Sequence, residues 1–227
     1  MTKAKVRAAE PPDDFEVPEE WRRRPWTALA IVGVVLLVML GPGLAFNKGL
    51  QPNVPSALAK CTTSTQLGPH AYSGLQPMCI NTAKHYQATI VTSAGTVVVA
   101  LNASAAPVTV NNFVVLAING FYNGLTFWRV ESWVVQTGDP DGNGRGGPGY
   151  TLPEEPAVAS WPVGSLGMAR PPGGAISGSQ FFITTQTWPG TGPQGIYNGF
   201  GTVTSGIDKV QGMTSSDRVS SITIKVS

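Results

Sequence analysis

Cysteine, histidine and charged residues are all scarce in this chain of 227 residues. The 2 cysteines are too few for a disulfide-dense scaffold or a four-cysteine zinc site, and the 2 histidines are isolated, so we expect no metal site. Charged residues make up 12% of the chain, and the net charge is only +2. Because the basic residues are scattered and form no stripe, nothing in the composition favours nucleic acid as a partner.

Glycine and proline are abundant by contrast, at 27 and 19 residues. This mixture is typical of a loop-rich domain built mainly from β-strands and argues against a helical bundle. The length suits one ordinary domain with accessory segments attached to it.

One long stretch, from Thr27 to Phe46, carries no charge. At about 1.5 Å per residue, a helix of this length spans a hydrocarbon layer of about 30 Å. Arginines occupy positions 22–24 before it, whereas Lys48 is the nearest base after it. This asymmetry predicts an N-terminus inside a bacterial-type cytoplasmic membrane and the rest of the chain outside. We therefore predict a disordered cytoplasmic tail over residues 1–26 and a single-pass signal anchor in the lipid bilayer over residues 27–46.

Two other interpretations of the apolar run stay open. A buried core helix would be expected to carry a polar stripe, which this run lacks. A cleaved signal peptide is the stronger alternative, because Gly43 and Ala45 are small residues suited to a cut after Ala45. The leader before the run is long for a signal peptide, which favours the retained anchor. Whether the run is a retained anchor or a cleaved signal peptide, the remainder of the chain is expected to be exported.

Residues 47–86 are polar, rich in small residues and without clear periodicity, which predicts an extracytoplasmic stalk. Cys61 and Cys79 both lie in this segment. Outside the cytoplasm we expect them to form a disulfide, which would restrain the segment by about 3 kcal/mol in the chain-entropy view. Two free thiols that only pack are the alternative.

The folded domain is predicted over residues 87–227. Residues 88–93 and 96–101 are rich in β-branched side chains, and they flank the turn pair Ala94-Gly95. This arrangement predicts a β-hairpin at the start of the domain.

A helix is predicted next, because Pro107 suits the first helical turn, apolar residues recur at helical spacing and Gly120 provides a stop. A short helical turn is predicted near residues 206–213. Five apolar runs separated by turn signals predict further strands: LTFWRV, WVVQTG, GSLGMA, QFFITT and SITIKV. Many short strands with few helices indicate a closed barrel or a sandwich.

From residue 88 to 227, the motifs and their order resemble those of the cyclophilins. The most specific are FYNGLTFWRV at 121–130, QTGD at 136–139 and SQFF at 179–182. The resemblance implies a mainly β fold, an eight-stranded antiparallel barrel capped by two helices. It also implies a peptidyl-prolyl cis-trans isomerase that acts on Pro-containing polypeptides and needs no cofactor, since no bond is made or broken. We expect this domain to be monomeric.

The resemblance also assigns roles to single residues. Arg129 matches the family's catalytic arginine, and Gln136 matches the glutamine beside it that hydrogen-bonds the substrate backbone. A surface arginine paired with Glu131 or Asp139 is the alternative reading of Arg129. The further substrate-side residues that the resemblance implies are Gln180, Phe182, Trp133, Val134 and Tyr197.

Phe182 matches the aromatic floor of the proline pocket, and Phe181 beside it should point to the opposite face of the strand. Trp133 stands in place of a pocket phenylalanine, Val134 in place of a methionine, and Tyr197 where the family has histidine or tyrosine. Ordinary core packing is the alternative for these apolar residues, above all for Val134.

Three departures from the family pattern bear on activity. Trp128 replaces a histidine before the catalytic arginine, and the segment 130–133 is one residue shorter than usual. The loop 168–172 differs in sequence, with an extra residue before Gln180. Its Arg170 adds a positive charge, from which we expect a bias toward acidic or carboxylate-bearing peptides.

The register between Trp188 and Tyr197 leaves open whether Trp188 or Ile196 completes the pocket wall. Three functions compete on the sequence alone. The first is an active isomerase that assists exported proteins at the membrane. The second is a catalytically weak module that binds Pro-containing segments, and the third is a structural subunit of a membrane complex.

Overall fold

The structure is a computed structural model, and it describes residues 54–62, 65–155, 160–188 and 197–227. The tail and the anchor predicted within residues 1–46 lie outside these ranges. Within the described ranges, no helix combines the length and the apolar character needed to cross a membrane.

Strands dominate the described residues, and helices are few. In chain order the elements are a 3-10 helix (Ser56–Thr62), β1 (Gln66–Gly68), β2 (Ala71–Tyr72), β3 (Tyr86–Thr92), β4 (Gly95–Leu101), α1 (Pro107–Ile118), β5 (Arg129–Glu131), β6 (Val134–Thr137), β7 (Thr151–Leu152), β8 (Ser165–Met168), β9 (Ile176–Ser177), β10 (Phe181–Thr184), β11 (Gly199–Ser205), α2 (Ile207–Gln211) and β12 (Val219–Val226). The predicted hairpin is confirmed as β3 and β4, and the two predicted helices are confirmed as α1 and α2.

Eight strands form one antiparallel sheet in the order β12-β3-β4-β11-β8-β10-β6-β5. The prediction of a closed barrel needs correction, because β5 and β12, at the two ends of this order, do not pair with each other. The segment 124–127 bridges them instead. Its Gly124 N–H donates to Val219 O at 2.7 Å, and its Phe127 N–H donates to Asp217 O at 3.0 Å. The sheet is therefore a curled half-barrel that a short irregular segment completes.

Helix α1 plugs the interior of the half-barrel. Phe113, on its buried face, lies 5.5 Å from the Phe181 ring, 5.3 Å from the Phe200 ring and 5.3 Å from the Tyr122 ring, measured between centroids. All four rings are essentially inaccessible to solvent. Aromatic pairs at these separations add to the hydrophobic stabilisation of the core.

The predicted stalk is the second correction, as far as the structure describes residues 47–86. Leu58, Cys61, Tyr72 and Ile80 are buried in the main core, so this segment packs against the half-barrel. Sequence periodicity could not reveal this, because the contacts come from isolated residues in short irregular pieces. We call residues 54–62 together with 65–86 the N-terminal extension.

A disulfide and a buried asparagine fasten the extension to α1. Cys61 and Cys79 are joined with an S–S distance of 2.09 Å. The side-chain oxygen of Asn111, on α1, accepts the Cys79 N–H at 2.8 Å, and its amide nitrogen donates to Pro77 O at 3.0 Å. The disulfide therefore lies against the helix that fills the core.

Helix α1 starts without a cap of its own, since Ala106 at its N-cap makes no side-chain hydrogen bond. The carboxylate of Glu155 supplies the cap from a distant loop. It accepts the Val108 N–H at 2.9 Å and the Thr109 N–H at 2.8 Å. A negative charge at this position also interacts favourably with the helix dipole.

Candidate active site

Strand register places one residue from each of four neighbouring strands in a single row. Arg129 on β5 pairs with Gln136 on β6, and Gln136 pairs in turn with Phe182 on β10. Phe182 pairs with Gly167 on β8. Directly paired residues point to the same face of a sheet. Arg129 and Gln136, on one hairpin, therefore share a face with Phe182, which lies more than 40 positions further along the chain.

A shallow groove, open to solvent, lies on this face. Its described lining residues are Arg129, Trp133, Val134, Gln136, Ala169, Arg170, Phe182, Trp188 and Tyr197. All the residues assigned to catalysis and substrate binding from the sequence line it, except Gln180. Gln180 lies directly behind Gln136 and contacts it.

A chain of hydrogen bonds runs from the guanidinium of Arg129 into the protein. Its Nη1 donates to Gln136 Oε1 at 3.2 Å, and Gln136 Nε2 donates to Gln180 Oε1 at 2.9 Å. Gln180 Nε2 in turn donates to Gly146 O at 2.8 Å. The hydrogen bonds on either side of each amide fix its orientation. The Gln136 side chain is therefore held in one orientation relative to the groove.

The loop that contains Gly146 is itself organised by Asp139. This carboxylate is buried, and it accepts backbone N–H groups from Asp141 at 2.8 Å, from Asn143 at 2.9 Å and from Gly144. A carboxylate that is paired with several N–H groups keeps the loop in one conformation. Asp139 therefore supports the groove from behind and does not pair with Arg129, as one alternative reading had it.

Four aromatic side chains line the groove, and a fifth, the buried Trp161, packs against Phe182 from beneath. The Phe182 ring lies 5.2 Å from Trp161 and 5.5 Å from Tyr197, measured between centroids. The wall is the pair Trp133 and Trp188, whose centroids are 4.8 Å apart. These rings offer an apolar surface of the kind that a proline ring requires.

Gly167 makes room for this floor. A Cβ atom at this position would lie 2.5 Å from Phe182 Cζ and 2.6 Å from Trp161 Cη2. Both are atoms of packed rings, so neither can yield without disturbing the floor. The close approach explains a glycine in the interior of a strand.

We expect Gly167→Ala to lower the free energy of unfolding by about 1–3 kcal/mol and to weaken peptide binding, because the added methyl overpacks the floor. Urea unfolding and a titration with an X-Pro peptide would measure the two effects. Gly74→Ala is the matched control, since a Cβ there meets no atom within 4 Å. Equal behaviour of the two variants would contradict this account of the floor.

Arg129 also has a carboxylate partner on its own strand. Its Nε donates to Glu131 Oε1 at 2.7 Å, and its Cζ lies 5.3 Å from the centroid of the Trp133 ring. The pairing with Glu131 named in the surface-arginine alternative is therefore present. Arg129 nevertheless lines the groove, so the ion pair and the position in the groove occur together.

Arg170 lines the other side of the groove, but its hydrogen-bonding groups are engaged. Its Nη1 pairs with Glu154 Oε1 at 2.8 Å, and its Nε and Nη2 donate to Gly174 O at 3.0 and 2.6 Å. Burial raises the pKa of Tyr197, which Arg129 and Arg170 oppose by their charge. Tyr197 is consequently a neutral phenol that can donate a hydrogen bond at neutral pH.

Several groove residues were missing from the sequence-based assignment. The sequence left open whether Trp188 or Ile196 completes the pocket wall. Trp188 does line the wall, and Ile196 lies outside the described residues. No sequence motif predicts Ala169 in the lining or Trp161 beneath Phe182. A glycine within the strand run GSLGMA was the available signal for close packing at this point.

Trp128, the departure from the family's histidine, packs away from the groove. Its indole ring lies against Gly144, where an added Cβ would be 2.9 Å from Cη2. Trp128 directly precedes Arg129, the first residue of β5, and its opposite direction agrees with the alternation of side chains along an extended chain. The same rule separates Phe181, in the main core, from Phe182 in the groove.

Comparison with known proteins agrees with this geometry. The family model "Cyclophilin type peptidyl-prolyl cis-trans isomerase/CLD" matches residues 87–226. Peptidyl-prolyl cis-trans isomerase B of Bacillus subtilis is 42% identical over 124 residues, which are 53% of this chain and 85% of that protein. A peptidyl-prolyl cis-trans isomerase of Synechococcus elongatus is 38% identical over 141 residues, covering 61% of this chain and 95% of its own length.

A solved structure supports the fold as well. The crystal structure of a cyclophilin-type isomerase from Cryptosporidium parvum aligns with a TM-score of 0.52 at 26% identity, covering 62% of this chain and 98% of that one. The range that the family model matches, residues 87–226, contains both helices and nearly all of the half-barrel. This chain belongs to the cyclophilin-type peptidyl-prolyl cis-trans isomerases.

Proposed function

We propose that this isomerase works by Arg129-assisted stabilisation of a twisted prolyl amide, on proteins exported across a cytoplasmic membrane. The observation that carries the mechanism is the row of Arg129, Gln136 and Phe182 across one apolar groove. A fixed cation there lies beside the surface that would receive the proline ring.

The chemistry requires selective binding of a twisted amide and nothing more. Rotation about a prolyl amide is opposed by resonance, with a barrier of about 20 kcal/mol. In the twisted state the prolyl nitrogen gains a lone pair, and a fixed cationic donor near it stabilises that state over either planar form. Each gain of about 1.4 kcal/mol gives about tenfold in rate.

The groove residues divide this work. Phe182 and the aromatic wall would hold the proline ring, while Gln136, fixed by Gln180, would hydrogen-bond the substrate backbone. Arg129 would then act on the amide itself. Its guanidinium suits this role because it is always charged and presents several N–H groups in one plane.

A weak binding module is the second candidate, and the shortened segment 130–133 is the feature that favours it. NMR exchange spectroscopy on an X-Pro peptide separates the two functions, because it reports binding and cis–trans exchange in one sample. Accelerated exchange on addition of the full chain supports the isomerase mechanism. Peptide binding without accelerated exchange would establish the weak module instead.

The location outside the membrane rests on the apolar run 27–46, on the arginines before it, and on the Cys61–Cys79 disulfide. Disulfides persist in oxidising compartments and are rare in reducing ones. Maleimide labelling in intact cells tests the location: we expect both thiols to be blocked until a reductant is added. Free thiols in unreduced cells would contradict it.

The expected preference for acidic peptides stays a prediction. Since Arg170 already pairs with Glu154, an acidic substrate residue would have to compete with that carboxylate. We also propose that residues 27–46 anchor the chain in the membrane and that the isomerase domain is monomeric.

A further inference from the structure

Glu131 lies where it can hold two groups of the groove at once. Its Oε1 is 2.7 Å from Arg129 Nε, and the same guanidinium lies over the Trp133 ring at 5.3 Å. Hydrogen bonding from Arg129, and more weakly from Trp133, lowers the pKa of the Glu131 carboxyl. Glu131 is therefore a carboxylate at neutral pH and contacts both neighbours in that form.

The shape of the β5–β6 hairpin imposes this arrangement. Glu131 pairs with Val134 at the end of the ladder, so that only Ser132 and Trp133 form the turn. Residues two apart on a strand share a face, which puts the Glu131 carboxylate beside Arg129. The short turn brings Trp133 to the same place.

We propose that Glu131 is a positioning residue for catalysis, which fixes the plane of the Arg129 guanidinium against Trp133 and across the groove. This proposal rests on the role proposed above for Arg129. Arginine carries five N–H groups. Pairing at Nε uses one of them and Nη1 points to Gln136, so the remaining groups stay available for a substrate amide.

Folding stability is not a sufficient reason for the pair. The side chains of Arg129 and Glu131 are 35% and 44% exposed, and ion pairs this accessible contribute little to stability. Their geometry matters more for catalysis, because a donor that must be reoriented at the transition state loses much of its effect.

The test compares Glu131→Ala with Glu131→Gln in the full chain. We expect Glu131→Ala to lower kcat about fivefold to tenfold with KM changed less than about twofold, since positioning acts on the transition state. Glu131→Gln keeps an acceptor for Nε–H and should restore most of the loss. The NMR signal of the Arg129 Nε–H group should shift in Glu131→Ala and stay close to its original position in Glu131→Gln.

Asp208→Ala is the matched control, since it removes an exposed carboxylate that pairs with Lys209 outside the groove. In an Arg129→Ala background, Glu131→Ala should cause no further loss, because the group that it positions is gone. An unchanged kcat and an unmoved Nε–H signal in Glu131→Ala would overturn the proposal. It would also be overturned if Glu131→Ala lowered kcat in the Arg129→Ala background as much as it does in the original protein. Full activity of Arg129→Ala would instead refute the Arg129 mechanism, and the Nε–H signal would still report whether Glu131 holds the guanidinium.

Discussion

Arg129→Ala should lower kcat/KM for an X-Pro peptide by about 100-fold to 1000-fold, the usual cost of removing a fixed transition-state donor. The loss should fall on kcat, because the substitution leaves the aromatic floor around Phe182, our proposed binding surface for the proline ring, untouched. Arg129→Lys should recover only part of the activity. An ammonium is a point charge on a flexible stem and cannot keep both the Glu131 and the Gln136 contacts in one plane.

NMR exchange rates with full-length variants would give both the rate and the affinity. Arg218→Ala is a suitable control, because it removes the same charge from an exposed site where Arg218 Nη1 donates to Gly124 O at 3.1 Å. We expect Arg218→Ala to isomerise at close to the original rate. Isomerisation by Arg129→Ala within a few-fold of the original rate would show that the guanidinium does not stabilise the twisted amide.

Local patterns were sufficient for most elements of the half-barrel. The β3–β4 hairpin followed from β-branched runs around a turn pair, and α1 followed from Pro107, helical spacing and Gly120. These signals are short-range, since each depends on residues within a few positions of one another. Such short-range signals determine whether a segment is a helix or a strand, but they do not determine which strands are its neighbours in the sheet.

The row across the groove needed a different kind of information. Arg129, Gln136 and Phe182 were assigned by their resemblance to family motifs, and only the strand register explains physically why they meet. Trp161 had no such motif, and its place under Phe182 depends on the missing side chain of Gly167. Contacts made by single residues of this kind leave no periodic trace in the sequence.

The N-terminal extension shows the same limit on a larger scale. Its polar, aperiodic sequence predicted a stalk, yet Leu58, Tyr72 and Ile80 are buried in the main core. Four apolar or sulfur-bearing anchors, including Cys61, are enough to hold a segment that otherwise resembles a linker. These contacts join residues that are distant in sequence, so a composition averaged over a short window does not reveal them.

A buried amide near the groove shows how irregular segments determine stability here. Asn198, fully buried, accepts the Glu155 N–H at 2.9 Å, and it donates to Thr109 Oγ1 and to Pro153 O at 2.9 Å each. Glu155 is also the residue that caps α1. One side chain therefore links the loop at residues 153–155 to the start of the helix that fills the core.

Asn198→Ala should lower the free energy of unfolding by about 4 kcal/mol, because it leaves two buried polar groups, the Glu155 N–H and Thr109 Oγ1, without this partner, and each unsatisfied group costs about 1–3 kcal/mol. Urea unfolding with an unchanged m-value would measure the loss. Thr109→Val removes one of the three contacts and should cost about 1–2 kcal/mol. Gln87→Ala, on the exposed face of β3, should be nearly neutral. If Asn198→Ala and Gln87→Ala lost the same stability, the amide would not link the capping loop to α1, and the helix would have to be held by its apolar face alone.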